Sequence, residues 1–548
     1  MIPSRRDATA TCRPLTMGRL PRWVPLWIRC LPLLLLPQAT NWGADGGEVL
    51  RVAFTSDPIT LDPHKSTTIW EFLTQPLLHL TLLDIHGTTH LEPRGAASWT
   101  SSPDGRHFTF RLRPGLTFSN GRPVVAADYV YGLERILSPA TATFFQGSLL
   151  GVKGSKAFIE GTSPHVDGLK APAPDLLVIE LDQGDPMFSY QLAQLAYPLP
   201  REVVDRDPKG FGRQPVGAGP YRVARWDRGA RLRLERRPDY RGPDPALVDA
   251  VDIFIGSDAT THLMMFEQGE IDIANVVSQS LPFPSYRRVS TDPHWKDLIE
   301  IQPGLSTEFI AMNLGIPPFD NVLVRRAVNH AIDRDRRMQV PQGYESHAAG
   351  VVPKSIPGHD PALRGYAFDP EKARKLLAES GVVLPVRTQL WHDATDQDRI
   401  RAQGFQWDLH QVGIEVALKE VSAAQLSQAA GTRGKVPMTL RSWGGGAPDP
   451  WEFFNYLLHS RALAQEPTFN QSFYANPKVD KLIDAASAEV DLETRRRLWR
   501  EAEGLVVEDA PWVFLGHSNF LSLRQPWVLG PLLEAAWYYR LDRVRIAR

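Results

Sequence analysis

An alternation of strand and helix patterns, sustained along most of the chain, constrains the fold more than any other feature. Val49–Phe54 is an apolar strand followed by a loop of turn formers, Thr55–Pro63. His107–Arg113 and Leu116–Phe118 are strands separated by the turn Pro114-Gly115, and Ala126–Leu137 places Val130, Leu133, Ile136 and Leu137 on one helical side. Leu176–Leu181, Arg231–Glu235 and Val251–Ile255 continue as strands, before a helix at Ala259–Gln268 and a short strand at Ile271–Ile273. A segment rich in Pro, Ser and Arg, Val276–Lys296, then reads as a loop near a domain boundary. Beyond it, strand Val386–Trp391, helix Gln397–Gln411 and strand Ile414–Leu418 repeat a βαβ rhythm, which calls for a second α/β domain. A chain of 548 residues has room for several such units, each with its own core.

Charge narrows the partners. The 61 basic and 62 acidic residues give a net charge of −1, without the basic surplus that binding to a phosphate backbone requires, so nucleic acid is not an expected partner. The balance is uneven along the chain. Ala8 to Ala44 contains no acidic residue, and Arg13, Arg19, Arg22 and Arg29 lead into the apolar run Leu31–Pro37, the order of a secretory signal peptide. That run is far shorter than the ~20 residues of a spanning helix, and Pro32 and Pro37 interrupt it. Residues 1–44 are therefore expected to be a leader, with the remainder exported. Six arginines and one aspartate lie within it, which leaves 55 basic against 61 acidic residues, a net charge of −6. Both cysteines, Cys12 and Cys30, also lie there, so thiol catalysis, zinc–thiolate sites and disulfides are not expected in the exported chain.

Enzyme motifs are absent. There is no G-x-S-x-G, no G-x-x-x-x-G-K-[ST] and no H-E-x-x-H. Gly217-Ala-Gly219 begins like a dinucleotide fingerprint, but Arg222 stands where a third glycine is needed. His86 and His90 have the spacing of two ligands on one helical face, yet Gly87-Thr88-Thr89 between them favours a turn, so they are expected to be solvated loop histidines. No catalytic residue, metal ligand or cofactor is assigned.

A series of short motifs, each turn-like by itself, resembles family 5 extracellular solute-binding proteins, the peptide- and nickel-type receptors of ABC importers. It runs from Thr60-Leu-Asp-Pro63 through Phe108–Phe118, Asn120–Val130, Pro215–Tyr221, Glu267–Ile273 and Pro318–Ala327. It continues with Asp369–Leu377, Trp443-Gly-Gly-Gly-Ala-Pro-Asp-Pro450 and Asn476–Ile483. The resemblance implies an α/β, two-lobed periplasmic-binding-protein fold of the type II clamshell kind, with an extra subdomain in the first lobe. It implies lobe I from residues 45–91, the extra subdomain from 92–210, the rest of lobe I from 211–300, lobe II from 301–515 and a return to lobe I from 516–548. The implied function is a monomeric, non-enzymatic periplasmic receptor that captures a peptide or peptide-like solute and delivers it to an inner-membrane ABC permease. A sensor without transport, or a receptor for a non-peptide small molecule, is the alternative; an exported hydrolase is a third.

By the same resemblance, Thr67, Thr68 and Ile69 after the L-D-P-H run, and Ser442, Trp443 and Gly444, line the cleft and pair with an extended ligand's backbone. Phe144 and Phe145 match a cleft aromatic position. Peptide receptors usually carry an Asp three residues after the cleft Trp, where it holds the ligand's α-ammonium; here that position is Gly446. Asp449 is either its substitute or, as we expect, an N-cap for the helix that starts at Trp451. An N-blocked or peptide-like ligand then fits as well as a free peptide.

Overall fold

Strand β1 (Val49–Phe54) leads through a turn-rich loop into the helix Ile69–Leu78. The computed structural model describes residues 47–274, 285, 288, 289, 291–338, 345–464, 466–534 and 538–548. The leader and residues 275–284 of the Pro- and Ser-rich segment lie outside these. The hairpin β2 (Leu83–His86) and β3 (His90–Pro93) sets His86 opposite His90, across a turn in which Gly87 has φ +59°. Both imidazoles reach Glu92, at 2.9 and 3.3 Å, so the two histidines belong to a hairpin rather than to one face of a helix.

A four-stranded sheet follows, ordered β4 (Ala96–Ser101), β5 (His107–Leu112), β7 (Leu176–Glu180), β6 (Leu169–Ala173). In β5 the period-2 pattern turns Phe108, Phe110 and Leu112 inward. They share a core with Leu133, Ile136 and Leu137 of the helix Ala126–Leu137, and with Phe188 and Leu192 of the helix Phe188–Leu195.

The rest of the chain builds one large mixed sheet. Its strands are β8 (Tyr221–Asp227), β9 (Arg231–Arg236), β10 (Ala250–Ile255), β11 (Ile273–Ala274), β12 (Ile299–Met312), β14 (Val386–Asp393), β15 (Ile414–Val421), β16 (Met438–Gly444), β17 (Trp512–Arg524) and β1, with β13 (Glu345–His347) on the side of β17. The order is β15-β14-β16-β12-β17-β11-β1-β10-β9-β8. β1 runs parallel to β10 and β11, and β14 runs parallel to β15 and β16. Between these two parallel groups lie the long antiparallel strands β12 and β17, whose register breaks between Pro303 and Thr307 and again between Glu308 and Phe309.

The cores divide along the same line. One pair draws only on residues between Leu305 and Leu515, for example Phe309, Trp499 and Trp512 on one sheet face and Ile310, Val324 and Leu440 on the other. Another pair combines the first three hundred residues with the chain end, joining Val52 and Ile253 to Leu532 and Val544, and Leu263 and Trp295 to Leu521. The chain end is also fastened by charge. Arg540, fully buried, bonds Asp84, Asp542 and Glu534 at 2.8 to 3.3 Å. Burial would raise the Asp84 pKa, but Arg540, Arg94 and Arg543 outweigh it and hold the carboxyl below the usual range. Gly219, in the dinucleotide-like segment, sits against the end of the helix Ile69–Leu78: a Cβ there would lie 2.4 Å from the Leu78 carbonyl carbon. That glycine serves chain packing.

Candidate functional site

In open α/β sheets the crevice outside the carboxyl ends of parallel strands is where ligands bind. The two parallel groups present two such edges, and the expected site residues occupy both.

At the first edge, β1 ends at Phe54 and the chain returns through Leu61-Asp-Pro-His64 to the helix Ile69–Leu78. The motif is buried and structural. Asp62 takes two hydrogen bonds from Arg135, at 2.8 and 2.6 Å, and one from the His64 amide at 3.1 Å. Burial, with Arg135 close by, pushes the His64 imidazole down to about 3, so the ring is neutral. Thr67 is exposed, and Thr68 and Ile69 are half-buried. The Thr67 and Thr68 amides donate to Glu71 at 2.8 and 2.6 Å, and the Ile59 amide donates to the same carboxylate at 2.7 Å. Glu71 thus fixes the loop at the helix start, and those amides are already engaged. Thr68-Ile-Trp-Glu71 is the sequence signature of that arrangement. Phe145 is half-buried and meets Phe72 edge to face at 6.0 Å, which places it beside this helix. The Phe144 side chain lies outside the described residues.

At the second edge, Ser442, Trp443 and Gly444 end β16 and pair with Glu308, Thr307 and Ser306 of β12. Ser442 and Gly444 are exposed and Trp443 is half-buried. The Trp443 ring meets Tyr456 and Phe469 edge to face at 6.0 and 5.3 Å, and Trp451 meets Tyr456 at 5.2 Å. Tyr456 and Phe469 remain 40% and 55% exposed, an aromatic surface that no core requires.

The glycine-rich turn after β16 holds the polar part of this edge. The Gly446 amide donates to Glu452 Oε2 at 2.8 Å, and the Gly446 carbonyl accepts from Gln194 Nε2. Gln194 lies on the helix Phe188–Leu195, which packs on β2, so this bond joins the first edge's half of the molecule to the second edge. Asp449 points elsewhere. Its two oxygens accept from Arg495 at 2.8 Å each, and Oδ1 also accepts from the Trp451 amide at 2.9 Å. Both partners of that ion pair are buried. Glu452 is half-buried, and no cation lies within ion-pair distance of it among the described residues. Burial first, and then the Asp449 charge, raise its pKa, against the Gly446 amide, which lowers it.

The structure therefore gathers Thr67, Thr68, Ile69 and Phe145 in one group and Ser442, Trp443, Gly444, Gly446 and Asp449 in another. Gln194, Glu452 and Glu71 are absent from the sequence expectation. Glu71 had a local signal; Glu452 reads as an ordinary acid at a helix start; Gln194 had none, because its partner is 252 positions away. Two surface recesses of about 290 and 360 Å3 contain none of the expected site residues and are lined by residues 59–228 alone.

The profile of the family described as bacterial extracellular solute-binding proteins, family 5, middle region, matches residues 90–465. The probable D,D-dipeptide-binding periplasmic protein DdpA of Escherichia coli K12 is 27% identical over 527 residues, covering 92% of this chain and 96% of the relative. The probable deoxycholate-binding periplasmic protein YgiS of the same organism is 24% identical over 529 residues, covering 93% and 95%. The solved structure of clavulanic acid biosynthesis oligopeptide binding protein 2 superposes with a TM-score of 0.80 at 27% identity, over 91% of this chain and 95% of that one. The fold is the two-lobed α/β clamshell, and the chain belongs to the family 5 bacterial extracellular solute-binding proteins.

Proposed function

We propose that this protein is the periplasmic receptor of an ABC importer, which captures a peptide or peptide-like solute between two lobes and presents the closed form to an inner-membrane permease. The observation that carries this reading is the hydrogen bond from Gln194 to the Gly446 carbonyl, because it draws the carboxyl edge of one parallel strand group to the half of the molecule that holds the other. The relatives named for dipeptides and oligopeptides support the ligand class. The arginine-rich leader, free of acidic residues from Ala8 to Ala44, supports export. The separate cores support the division of lobe I (45–91 and 211–300, with the return 516–548) from lobe II (301–515); in the reading of an extra subdomain at 92–210, Leu82, Leu83 and Ile85 of lobe I share its core.

In this reading Thr67, Thr68, Ile69, Phe144, Phe145, Ser442, Trp443, Gly444 and Gly446 line the cleft, and Asp449 holds the turn through Arg495. The exposed end of β16 offers backbone groups that pair with an extended ligand without reading its side chains. The protein does no chemistry on the solute. Closure is favoured only by as much as the ligand binds the closed form better than the open one. Calorimetric titration with tri- to pentapeptides, with deoxycholate as the non-peptide comparison, tests the reading. One-to-one binding of peptides is expected; binding of deoxycholate alone, or of neither, contradicts it.

A further inference from the structure

We propose that the larger surface recess, of about 360 Å3, is an anion site that takes the phosphate group of a phosphate ester, and that the adjoining recess receives the organic part of that ester. The site is separate from the peptide cleft and goes beyond the transport reading.

Every charged side chain that lines the larger recess is cationic: Lys65, Lys209, Arg213 and Arg228. They come from three stretches of chain, namely the loop after β1, the turn around the short helix Pro208–Phe211 and the tip of the β8–β9 hairpin. Four cations around one concavity run against the acidic surplus of the chain beyond its leader. Like charges gathered there repel one another, and an arriving anion removes the repulsion. The neighbouring carboxylates are already committed. Asp57 accepts from Arg228 at 3.0 Å, from the Trp226 indole at 2.9 Å and from the Gly229 amide at 2.8 Å. Asp62 is held by Arg135, and Asp207 accepts from the Gly210 amide at 2.8 Å. Lys65, Lys209 and Arg213 form no ion pair among the described residues.

The backbone that carries these cations is fixed before any ligand arrives. The Leu61 amide donates to the Gly212 carbonyl at 2.7 Å, which clasps the loop after β1 to the turn bearing Lys209 and Arg213. The approach is so close that a Cβ on Gly212 would lie 2.4 Å from Thr60 Oγ1. Arg228 donates to the Ile59 carbonyl at 3.4 Å and lies over the Trp226 ring at 4.2 Å, tying the hairpin tip to the same loop. Binding then orders side chains rather than backbone, which keeps its entropic cost low.

The donors set the anion. Two guanidinium and two ammonium groups present many N–H bonds and no acceptor, a set that the several oxygens and higher charge of a phosphate satisfy better than one carboxylate. The recess lies within the ~300–1,000 Å3 of small-molecule sites, more than a bare phosphate of a few water volumes fills. The adjoining recess, of about 290 Å3, shares Lys65 and Pro208 with it and adds Tyr131, Phe158 and Val204. An ester with its phosphate among the cations and its organic part over these three side chains uses both. Such an ester is either soluble or the headgroup of an anionic phospholipid.

The test is calorimetric titration of the protein with glycerol 3-phosphate, beside flotation with phosphatidylcholine vesicles that contain or lack phosphatidylglycerol. One glycerol 3-phosphate per chain is expected to bind, more weakly by about tenfold or more in Arg213→Glu and in Lys209→Glu. Lys478→Glu makes the same change of charge at the exposed start of the helix Pro477–Ala488 and should leave binding unchanged. Binding to phosphatidylglycerol vesicles alone, lost in the first two variants, assigns the phosphate to a lipid headgroup and equally upholds the site. Binding to neither probe, or binding that Lys478→Glu weakens as much as Arg213→Glu does, overturns the inference. Hydrogen exchange of the unaltered protein with the probe that binds locates it without a substitution: slowing is expected in residues 59–65 and 207–214, and slowing only elsewhere overturns the site. Peptide affinity should be the same with and without that probe at saturation; competition between the two puts the anion in the cleft and overturns a separate site.

Discussion

Asp449 and Glu452 lie three residues apart and have different partners. Asp449 is committed to Arg495, and both are buried, so removing its charge leaves a guanidinium without a counter-ion. Asp449→Asn should therefore cost about 3 kcal/mol or more of stability. It should leave the ratio of free-amine to acetylated-peptide affinities where it was, because the carboxylate faces the helix Leu492–Asp509. Chemical denaturation and calorimetry on one preparation check both halves; a changed ratio with unchanged stability would assign Asp449 to the ligand.

The strands and helices were legible because their signals are local. Phe108, Phe110 and Leu112 alternate with polar residues, and the β5 strand follows; Pro370 opens and Gly381 closes a helix, as their backbone preferences require. Local patterns do not carry pairing. The resemblance implies a site on the two chain segments that end at strand edges; the role of Glu71 had a local signal in Thr68-Ile-Trp-Glu71, but Gln194 could not be read from spacing, because its partner Gly446 lies 252 positions away. The helix Leu492–Asp509 holds another such case. It buries Glu503, which accepts the Val352 amide at 2.8 Å and, among the described residues, forms no ion pair. Burial pushes that carboxyl up to about 7, from an ordinary 4.5. The unfolded chain then releases the proton at lower pH than the folded one. Stability is lost as pH rises from about 4.5 through 7, by up to about 3 kcal/mol. The melting temperature should fall between pH 5 and pH 8, and fall less in Glu503→Gln; identical falls would show that Glu503 is ionised in the folded protein.

At the scale of the molecule, the long strands β12 and β17 are the shared middle of a sheet whose two wings have separate cores. Their register breaks at Pro303–Thr307 and Glu308–Phe309, beside the residues that pair with Ser442 to Gly444. A bend there changes the distance between the wings without unpacking either core, which is the motion a clamshell needs. In the proposed function a peptide is held between the end of β16 and the opposite half of the molecule. Hydrogen exchange with and without a saturating peptide tests it most directly. Slowed exchange is predicted in residues 442–452 and 188–195 together, at one peptide per chain. Slowed exchange confined to the surface recesses lined by residues 59–228, or absent from one of the two segments, would contradict it.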